Sequence, residues 1–519
     1  MMLKKYINYS LVALTLLSLS ISSCNKQLDA PSVQASPEGG HWQSISDTKA
    51  ALLGMYGLLR AALVDNNAHW MYGELRSGDF ASYSRPELQA VIDSDLNKSF
   101  TLLENLSNWR RFYAVINAAS LFIERAPEVL VKDTRYTDFN LKLDVAQARA
   151  IRAFAYFYMV RIWGDVPLIT TSFDNGSFPE FKQTDYRLVL KFAEDELITA
   201  VEDLPFRYGV NPQLYYGANT GSWQKVLFNK ITAYAILSHL AAYQGKYIDV
   251  ASYTQFIFDN YTQSSISYAS NIRPGSASTA GLTGYFGIFS NNYTRGQVLS
   301  LSSAYVYGEA TSSGHIEQLT LATPFVNRAN PDIYVTKDTV NQLFLDERDR
   351  RFGIDRSDPA NPVYRENFFT NYNNEIPVFS KINIIRDGQA DGNYAVYGSN
   401  LVFTRLEELI LLRAEAMAVL GQEIRAIEYL NIVKGMRTTL PYQLSDLETK
   451  PLINEIFQER RRELIGEGWR FHDLVRLNKI KPVNPEIVNL IRDGGIYWPI
   501  SKQVLKNNSE LVQNEYWNN

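Results

Sequence analysis

Apolar residues recur at helical spacing from about residue 46 to residue 260, which predicts a long, mainly helical N-terminal region. The clearest helix is predicted over residues 146–163. Its apolar face is formed at positions i, i+3, i+4, i+7 and i+11 by Ile151, Phe154, Ala155, Tyr158 and Ile162. Gly164 and Pro167 follow, and proline cannot continue a helix. We therefore expect the helix to end at about residue 163.

Two later helices are each followed, after a glycine, by a partner helix. The predicted pairs are residues 223–244 with a partner from about 248, and residues 406–420 with a partner over 424–436. Gly245 and Gly421 would end the first helix of each pair, and the small residues Ala251 and Ala426 would let the partners approach closely. This arrangement is typical of tetratricopeptide-type helix pairs. A long stretch of different composition separates the two pairs, so they do not form a regular solenoid.

The stretch between the pairs, residues 261–400, is rich in Ser, Asn, Gly and Tyr. Weak alternation predicts short strands over 298–307 and 395–403. The chain after residue 481 is predicted to be mostly extended and polar. Long helices in the stretch are prevented by the prolines Pro274, Pro324, Pro331, Pro359, Pro362 and Pro377.

These patterns predict a mainly α fold: a tetratricopeptide-like helix-pair scaffold with a large, irregular, loop-rich insertion and few short strands. Long irregular segments on a rigid scaffold are where binding residues usually lie. The predicted organisation is a leader (1–23), a tether (24–45), an N-terminal helical region (46–260), the insertion (261–400), and a C-terminal helical region with a tail (401–519).

The N-terminus has the pattern of a cleaved secretion signal. Lys4 and Lys5 precede an apolar run over residues 11–21, which is too short to span a bilayer, and small residues follow. Cys24 comes next, at the end of a Ser-Ile-Ser-Ser-Cys segment that resembles a lipobox. We predict lipidation of Cys24, because two or three acyl chains give a stable anchor. The alternative is a buried core thiol.

The composition supports an exported protein that does not bind nucleic acid. Loss of residues 1–23 would remove Lys4 and Lys5 from 51 basic residues, leave 55 acidic ones, and change the net charge from −4 to −6. A mildly acidic chain lacks the basic surface that nucleic acid requires. Cys24 is the only cysteine, so no disulfide or thiolate metal site is expected. The 32 tyrosines offer flat faces with a polar tip, suited to sugar or peptide contact and equally to a helical core.

Motifs of common enzymes are missing from the sequence. The five histidines do not pair at the i, i+4 spacing of a zinc helix, and no G-x-S-x-G elbow or phosphate-binding glycine loop is found. Residues 387–393 could offer oxygens to Ca²⁺, but they lack EF-hand order, and we interpret them as a turn. A pair of glycosidase carboxylates stays open, since the 55 acidic residues cannot exclude one.

The densest charge cluster is Glu-Arg-Arg-Arg-Glu-Leu at residues 459–464. Consecutive arginines on a helix point about 100° apart, so the three cannot converge on one anion. Glu459, Glu463, Glu467 and Asp473 lie close enough in sequence to pair with them. We predict a structural ion-pair network here rather than a binding site.

Several segments together resemble the RagB/SusD family of outer-membrane nutrient-binding lipoproteins. Residues 148–168 end in Gly-Asp-Val-Pro-Leu, which is similar to a family hallmark, and residues 412–416 and 426–431 resemble its later helix pair. The most specific likeness is 459–464 with Gly-Trp-Arg-Phe-His-Asp-Leu at 468–474. The tail matches at 497–500 and 513–514, although Ser501 and Glu515 replace the usual prolines. The likeness spans nearly the whole mature chain.

The resemblance implies a lipoprotein of the outer leaflet that caps a SusC-like TonB-dependent transporter. Such proteins bind a glycan, or in some members a peptide, and transfer it without catalysis, cofactor or metal. The helix pairs would face the transporter, while the irregular loops would carry the ligand site. A tight acidic cluster after Cys24, often linked to surface export, is absent from the sequence.

A sugar site needs an aromatic face for the ring and a few polar groups for its hydroxyls. Two segments supply both, and the first matches a region that often contributes ligand contacts in the family. The predicted ligand residues are Trp70, Tyr72, Arg76, Asp79, Phe80 and Tyr83, then Tyr285, Phe286, Phe289, Asn291, Asn292 and Tyr293. The alternative for Trp70 and Tyr72 is the core. Trp163, Arg461 and Trp469 are assigned to the fold.

Two other functions are compatible with the sequence. An anchored helix-repeat scaffold would bind protein partners through its helices and would tolerate mutation of the loop aromatics. A surface hydrolase would release product from a glycan and would lose that activity with one carboxylate. Binding without turnover would favour the glycan-binding protein.

Overall fold

The structure is a computed structural model of the 519-residue chain. The predicted leader, Cys24 and most of the tether lie outside the residues that it describes, as do residues 388–393 of the predicted turn. The described residues are 40–173, 179–209, 215–217, 226–273, 281–291, 295–303, 308–355, 357–387 and 395–518.

The N-terminal region is helical, as predicted, and is arranged around one long central helix. That helix runs over Asp138–Trp163, eight residues longer at its start than the predicted one, because the Thr137 side chain caps it by accepting from the Asn140 N–H at 3.3 Å. It ends at Gly164, where φ is +72°. The helices are α1 (Ile45–Val64), α2 (Ala68–Gly73), α3 (Pro86–Ile92), α4 (Thr101–Leu106), α5 (Arg110–Arg125), α6 (Pro127–Lys132), α7 (Asp138–Trp163) and α8 (Tyr186–Asp203).

Helix α7 is the centre of the core. Its residues from Ala146 to Trp163 are buried almost without exception, since α1, α5 and α8 pack around it. The main apolar cluster takes side chains from Trp42 near one end of the chain to Trp517 near the other. The predicted regions therefore share one core, while the boundaries at residues 260 and 400 stay a prediction.

Both predicted helix pairs are confirmed. They are α9 (Lys230–Tyr243) with α10 (Tyr247–Asn260), and later α13 (Leu406–Val419) with α14 (Glu423–Met436). Gly245 and Gly421 both have φ of +73°, a conformation that favours glycine at a helix end. The predicted start of α9 at residue 223 is wrong, because residues 226–229 are not helical and the Asn229 side chain caps the helix by accepting from the Thr232 N–H. Helix α10 packs against α13, so the two pairs are neighbours in space.

The stretch between the pairs has little regular structure, as predicted. Its described residues contain two short α-helices, α11 (Ile316–Thr320) and α12 (Lys337–Leu343), and most of the strands of the protein. The strands pair as antiparallel two-stranded sheets. The pairs are β1 (Ala81–Ser82) with β3 (Ile333–Tyr334), β2 (Gln297–Leu301) with β10 (Leu401–Arg405), β4 (Phe352–Asp355) with β5 (Val363–Glu366), β6 (Phe369–Thr370) with β7 (Val378–Phe379), and β8 (Ile385–Asp387) with β9 (Val396–Tyr397).

The two predicted strands are found in altered form. The first is β2, and residues 304–307 of the predicted range lie outside the described residues. The second is split into β9 and β10, which a short turn at 398–400 separates. Strands β2 and β10 are buried along their whole length, which explains why their sequences do not alternate between apolar and polar residues.

The C-terminal region contains α15 (Leu452–Leu464), α16 (Arg470–Ile480), α17 (Pro485–Asp493) and α18 (Lys502–Asn507). The prediction of a mostly extended chain after residue 481 is wrong. Pro485 stands at the first helical position of α17, and the Asn484 side chain accepts from the Glu486 N–H at 2.9 Å. Ile487 of α17 is buried in a small cluster with Phe471 of α16. Cap and packing together form a helix where the polar composition indicated none.

A buried ion-pair network lies beneath α15, as predicted for this charge cluster. Glu463 binds three arginines, at 3.1 Å from Arg351, 2.8 Å from Arg405 and 2.7 Å from Arg437. Burial alone would raise the pKa of Glu463, but Arg437 and Arg405 hold it well below its usual range. The carboxylate is therefore charged at neutral pH.

The partners of this network come mainly from distant parts of the chain, which sequence spacing did not indicate. Arg460 binds Glu408 of α13 at 2.9 Å and Asp473 of α16 at 2.8 Å. Glu467 accepts from Lys381 at 2.6 Å. The network therefore connects the insertion to α13 and α16. The N–H donors of its arginines are used on protein acceptors and are not left for a ligand.

Throughout the part of the chain that the structure describes, no helix has both the length and the apolar character needed to cross a bilayer.

Candidate functional site

The first predicted ligand segment lies mostly in the interior. Trp70 and Tyr72 of α2 are buried, the indole N–H of Trp70 donates to the Gly466 carbonyl at 3.0 Å, and the Tyr72 hydroxyl donates to the Leu106 carbonyl at 2.7 Å. Arg76 is also buried and donates to the carbonyls of Gly495 and Ile496 at 2.7 and 2.8 Å. These side chains already have partners within the protein.

Asp79 and Phe80 of the same segment are buried as well. Asp79 binds Arg461 of α15, at 3.0 Å from its Nε, and the Phe80 ring contacts the Phe379 ring edge-on at 5.3 Å. The reason is that this segment packs on the turn before α16: the Cβ of an alanine at Gly73 would stand 1.8 Å from the Gly468 oxygen. Five of the six side chains are thus buried against protein partners, and a surface ligand would not reach them. Tyr83 is 51% exposed and remains available.

The second predicted segment is partly at the surface. Tyr285 is 61% exposed and contacts the half-buried Phe286 edge-on, with 4.9 Å between ring centroids. Phe289 is buried, and its carbonyl accepts from the Asn400 N–H at 2.8 Å. Asn292 and Tyr293 lie outside the described residues. Tyr285 and Phe286 form the exposed aromatic face of this segment.

Asn291 connects this segment to a polar pocket. Its side-chain oxygen accepts from the Ser302 hydroxyl at 3.1 Å, and the Ser302 carbonyl accepts from Arg60 Nε at 3.0 Å. Arg60 also donates to the Ser303 hydroxyl at 3.4 Å and to the Glu309 carbonyl. Arg60 therefore holds the loop after β2 against α1 and stands in the wall of the pocket.

The pocket lies where the end of α1 meets the insertion and has a volume of about 310 Å³. Its lining includes two guanidinium groups, a carboxylate, an amide and two hydroxyls, so it offers both hydrogen-bond donors and acceptors. The lining residues are Arg60, Val64, Asp65, Asn66, Arg111, Thr311, Ser313 and Gly314.

The shape of the pocket depends on a tight turn after α1. Asn66 and Asn67 both have left-handed backbone, with φ of +58° and +55°, a conformation that asparagine tolerates better than most residues. Asn66 is exposed at the pocket, whereas the buried Asn67 side chain donates to the His315 carbonyl at 2.8 Å. Gly314 contacts Val64 so closely that a Cβ would stand 2.6 Å from Val64 Cγ1. Turn and insertion are therefore held together at the pocket floor.

One ion pair lies at the mouth of the pocket. Arg111 of α5 binds Asp65 at 2.5 Å, and their side chains are 51% and 41% exposed, so both can reorient towards a ligand. Burial lowers the pKa of Arg60, while Glu309 and Asp65 act in the opposite direction. Behind the wall, burial and Arg60 lower the pKa of His315 to about 4, so this histidine is neutral at pH 7.

The chemistry of the pocket suits a ligand with many hydroxyl groups. Planar guanidinium, carboxylate and amide groups can each bind two hydroxyls, and Tyr285 and Phe286 are exposed or half-buried aromatic residues of the segment that Asn291 connects to the pocket. Within the described ranges, no group of three or more His, Asp or Glu side chains could hold a metal ion.

A larger groove of about 700 Å³ lies between residues 96–107 and the C-terminal tail. It is built from helix ends and the tail rather than from the insertion, and no predicted ligand residue lines it. A second groove, of about 480 Å³, lies on the helix pairs between α10, α13 and α14. We select the smaller polar pocket because it adjoins the second predicted segment.

Sequence reasoning did not find the pocket residues. Their signal is weak: Asp65-Asn66-Asn67 is a run of turn-forming residues directly after a helical pattern, and Thr311 and Ser313 are ordinary loop residues. Arg111 lies in α5, distant in sequence from all of them. Nothing in the chain order indicates that these positions meet.

Comparisons with known proteins agree on one family. A family model described as the SusD family matches residues 361–517. A solved structure of a SusD superfamily protein from Bacteroides thetaiotaomicron VPI-5482 is 46% identical, with 92% of this chain and 99% of that chain covered and a TM-score of 0.81. SusD-like protein P38 from Formosa agariphila is 26% identical over 99% of each chain. A laminarin binding SusD-like protein is 20% identical, covering 91% of this chain and 99% of that chain, with a TM-score of 0.64.

Proposed function

The chain belongs to the SusD family, and on that premise we propose that it binds an oligosaccharide or polysaccharide at the cell surface and delivers it, without catalysis, to a SusC-like TonB-dependent transporter. The observation that carries the proposal is the polar pocket between α1 and the insertion, which Ser302 and Arg60 connect to Asn291 at the end of the segment that carries Tyr285 and Phe286. A glycan is preferred over a peptide because the pocket is lined by guanidinium, carboxylate, amide and hydroxyl groups and has little apolar surface for side chains.

Ligand recognition in this proposal uses both parts of the site. Arg111 and Asp65 would leave their mutual pair to bind sugar hydroxyls, and Asn66 would donate and accept at the same ring. The exposed face of Tyr285 would pack on the C–H groups of a sugar. The name of the laminarin binding relative supports a glycan, although that protein is only 20% identical. Tyr83, Phe286 and Asn291 stay candidate ligand residues.

The proposed site is tested by titration calorimetry with the purified protein and a panel of glycans that includes laminarin, starch-type glucans and mannans, together with peptides. We expect one glycan class to bind saturably, and Arg111→Ala to weaken it about tenfold or more, since a hydrogen bond to a charged group contributes about 1.5–3 kcal/mol. The matched control is Arg492→Ala, which also removes an arginine from a surface ion pair.

Two results would contradict the proposal. Equal loss, or no loss, in Arg111→Ala and Arg492→Ala would show that the pocket is not the glycan site. Binding of peptides alone would reject the glycan class, and release of shorter sugars during titration would reject a role without catalysis.

The anchor at Cys24 is a separate part of the proposal. We propose that the protein is held in the outer membrane and faces outward, which its family and the lipobox-like segment ending at Cys24 support. A Cys24→Ser variant is expected to lose incorporation of labelled fatty acid and to leave the membrane fraction. Retention of label in that variant would exclude this site of lipidation.

A further inference from the structure

A small cavity of about 30 Å³, open to solvent on one side, lies where α7, α9 and α16 meet. It is remote in sequence from the polar pocket, and none of its residues takes part in the proposed glycan site. Lys479 is the exposed residue at its mouth. The cavity is lined by Phe157, Arg161, His239, Tyr243, Trp469, Phe471, His472, Val475, Arg476, Lys479 and Ile496.

Arg161 is the buried cation of this cavity, with 7% of its surface exposed. Aromatic rings cover its faces, with its Cζ 4.7 Å from the centroids of both Phe157 and Tyr158. Its Nε is fully buried without an acceptor, and within the described chain the side chain makes no hydrogen bond or ion pair. Burial lowers the pKa of Arg161 to about 10, so it keeps its charge at neutral pH.

The other charged groups at the cavity are also cations. Arg476 uses its donors on Glu415 and Asp473, at 2.6 and 2.9 Å. Lys479 forms no ion pair with a described residue and lies 4.6 Å from the Tyr243 ring centroid. No aspartate or glutamate is among the described residues that line the cavity. Arg161 and Lys479 are therefore the cations of the lining that no described carboxylate pairs, whereas His239 lies 3.1 Å from Glu408.

A second polar atom in the cavity is also without a partner. His472 Nε2 is buried and has no hydrogen-bond partner among the described residues. Burial and Arg161 hold the pKa of His472 well below its usual range, so the ring is neutral and can donate one N–H from Nε2. Arg161 and His472 thus both line the cavity, and each has a buried nitrogen without a protein partner among the described residues.

We propose that this cavity binds one monatomic anion, chloride in the cell. A buried charge without a partner is costly, and an anion in the cavity would offset the charge of Arg161 and accept N–H groups of its guanidinium. About 30 Å³ leaves room for one chloride-sized ion and at most one water, since each water needs roughly 10–15 Å³. Water alone would accept the hydrogen bonds without neutralising the charge.

The test is thermal unfolding of the purified full-length protein in sodium chloride and sodium gluconate mixtures of constant ionic strength. Because the anion binds only the folded state, we expect Tm to rise steadily with the chloride fraction. Arg161→Met is expected to abolish this dependence, and Arg492→Met, at a surface arginine, to keep it. Lys479→Met, at the exposed mouth, is expected to weaken it and serves if Arg161→Met does not fold.

Crystals grown in sodium bromide give a direct reading. We expect an anomalous peak in the cavity within hydrogen-bond distance of the Arg161 guanidinium, and none there in Arg161→Met. Density for water alone in the cavity, or the same chloride dependence of Tm in the wild type, Lys479→Met and Arg492→Met, would overturn the proposal. Glycan titration is independent of this outcome, so failure of one proposal leaves the other intact.

Discussion

Beneath α15, the arginines Arg351, Arg405 and Arg437 are fully buried and all bind Glu463, whereas Arg60 and Arg111 of the pocket lie close to solvent. Glu463 lies in the segment that the sequence marks by dense charge, but the three arginines that bind it come from distant segments. The pocket arginines stand in stretches of ordinary composition. Dense charge in the sequence therefore marks a buried network here, and the open pocket is formed away from that cluster.

The physical reason is the way in which the arginines of each region obtain their hydrogen-bond acceptors. A buried guanidinium needs acceptors on every side, so its partners must be fixed in space and cannot turn to a ligand. An exposed pair such as Arg111 with Asp65 contributes little to stability and can exchange its partner for a ligand at small cost. Mutations should therefore separate the two regions cleanly.

The largest effect is expected from Glu463→Gln. It leaves Arg437 without the one carboxylate that binds it among the described residues and weakens the pairing of Arg351 and Arg405. We expect the free energy of unfolding to fall by about 3–5 kcal/mol, which urea unfolding measures. Glu428→Gln, at an exposed position of α14, is the control and should change it by less than about 0.5 kcal/mol. A loss below about 1 kcal/mol for Glu463→Gln would remove the contrast between the regions.

An intermediate effect is expected from Glu317, a buried carboxylate behind the pocket. It accepts from the Ser399 hydroxyl at 2.8 Å and forms no ion pair with a described residue, unlike Glu463. Burial raises the pKa of Glu317 to about 7, against hydrogen bonds from Ser399 and the Ile384 N–H. The folded protein thus holds a proton that the unfolded chain loses above about 4.5, so this contribution to stability is full below that pH and is lost as pH rises through 7.

Unfolding of the wild type and Glu317→Gln from pH 4.5 to 7 measures this contribution. The difference between the two should change by at most about 1.4 kcal/mol per pH unit, because glutamine has no proton to lose. The exposed Glu428→Gln should follow the wild type in parallel. Parallel curves for Glu317→Gln as well would show that this carboxyl is charged when folded, like Glu463.

The smallest effect on stability is expected from Asn66→Gly. Glycine adopts the left-handed backbone of Asn66 without strain but gains freedom in the unfolded chain, so the free energy of unfolding should stay within about 0.5 kcal/mol. Glycan binding should nevertheless weaken. Asn67→Gly is the matched comparison: φ is almost the same, but loss of the bond to the His315 carbonyl should cost about 1 kcal/mol. Calorimetry and urea unfolding of both variants give the answer, and unchanged binding in Asn66→Gly would place the ligand elsewhere.

The scaffold was predictable because its signals are local. The apolar face of α7, the glycines after α9 and α13, and the Gly-Asp-Val-Pro stop depend only on neighbours along the chain. The same reliance on local signals failed at α17, where polar composition concealed a capped helix whose few apolar residues pack on α16. The sequence therefore predicts a helix well where the buried apolar face of that helix is broad, and poorly where that face is narrow.

The candidate site was less predictable. Trp70 and Tyr72 have the composition of a sugar site, but their exposure depends on whether the Gly466–Gly468 turn covers them, and that turn lies almost 400 positions later. Arg60, Asn66, Arg111 and Ser313 come together only because a left-handed turn meets the insertion at Gly314. No spacing rule connects such positions.

The amino-acid sequence was sufficient for the family, the helical scaffold and the structural role of the arginine cluster, since periodicity, chain stops and local charge spacing are written along the chain. The three-dimensional fold was needed to separate buried aromatics from exposed ones, to pair Glu463 with arginines from three distant segments, and to leave Arg161 without a partner. Burial and long-range pairing are properties of packing, and packing is not a function of position in the chain.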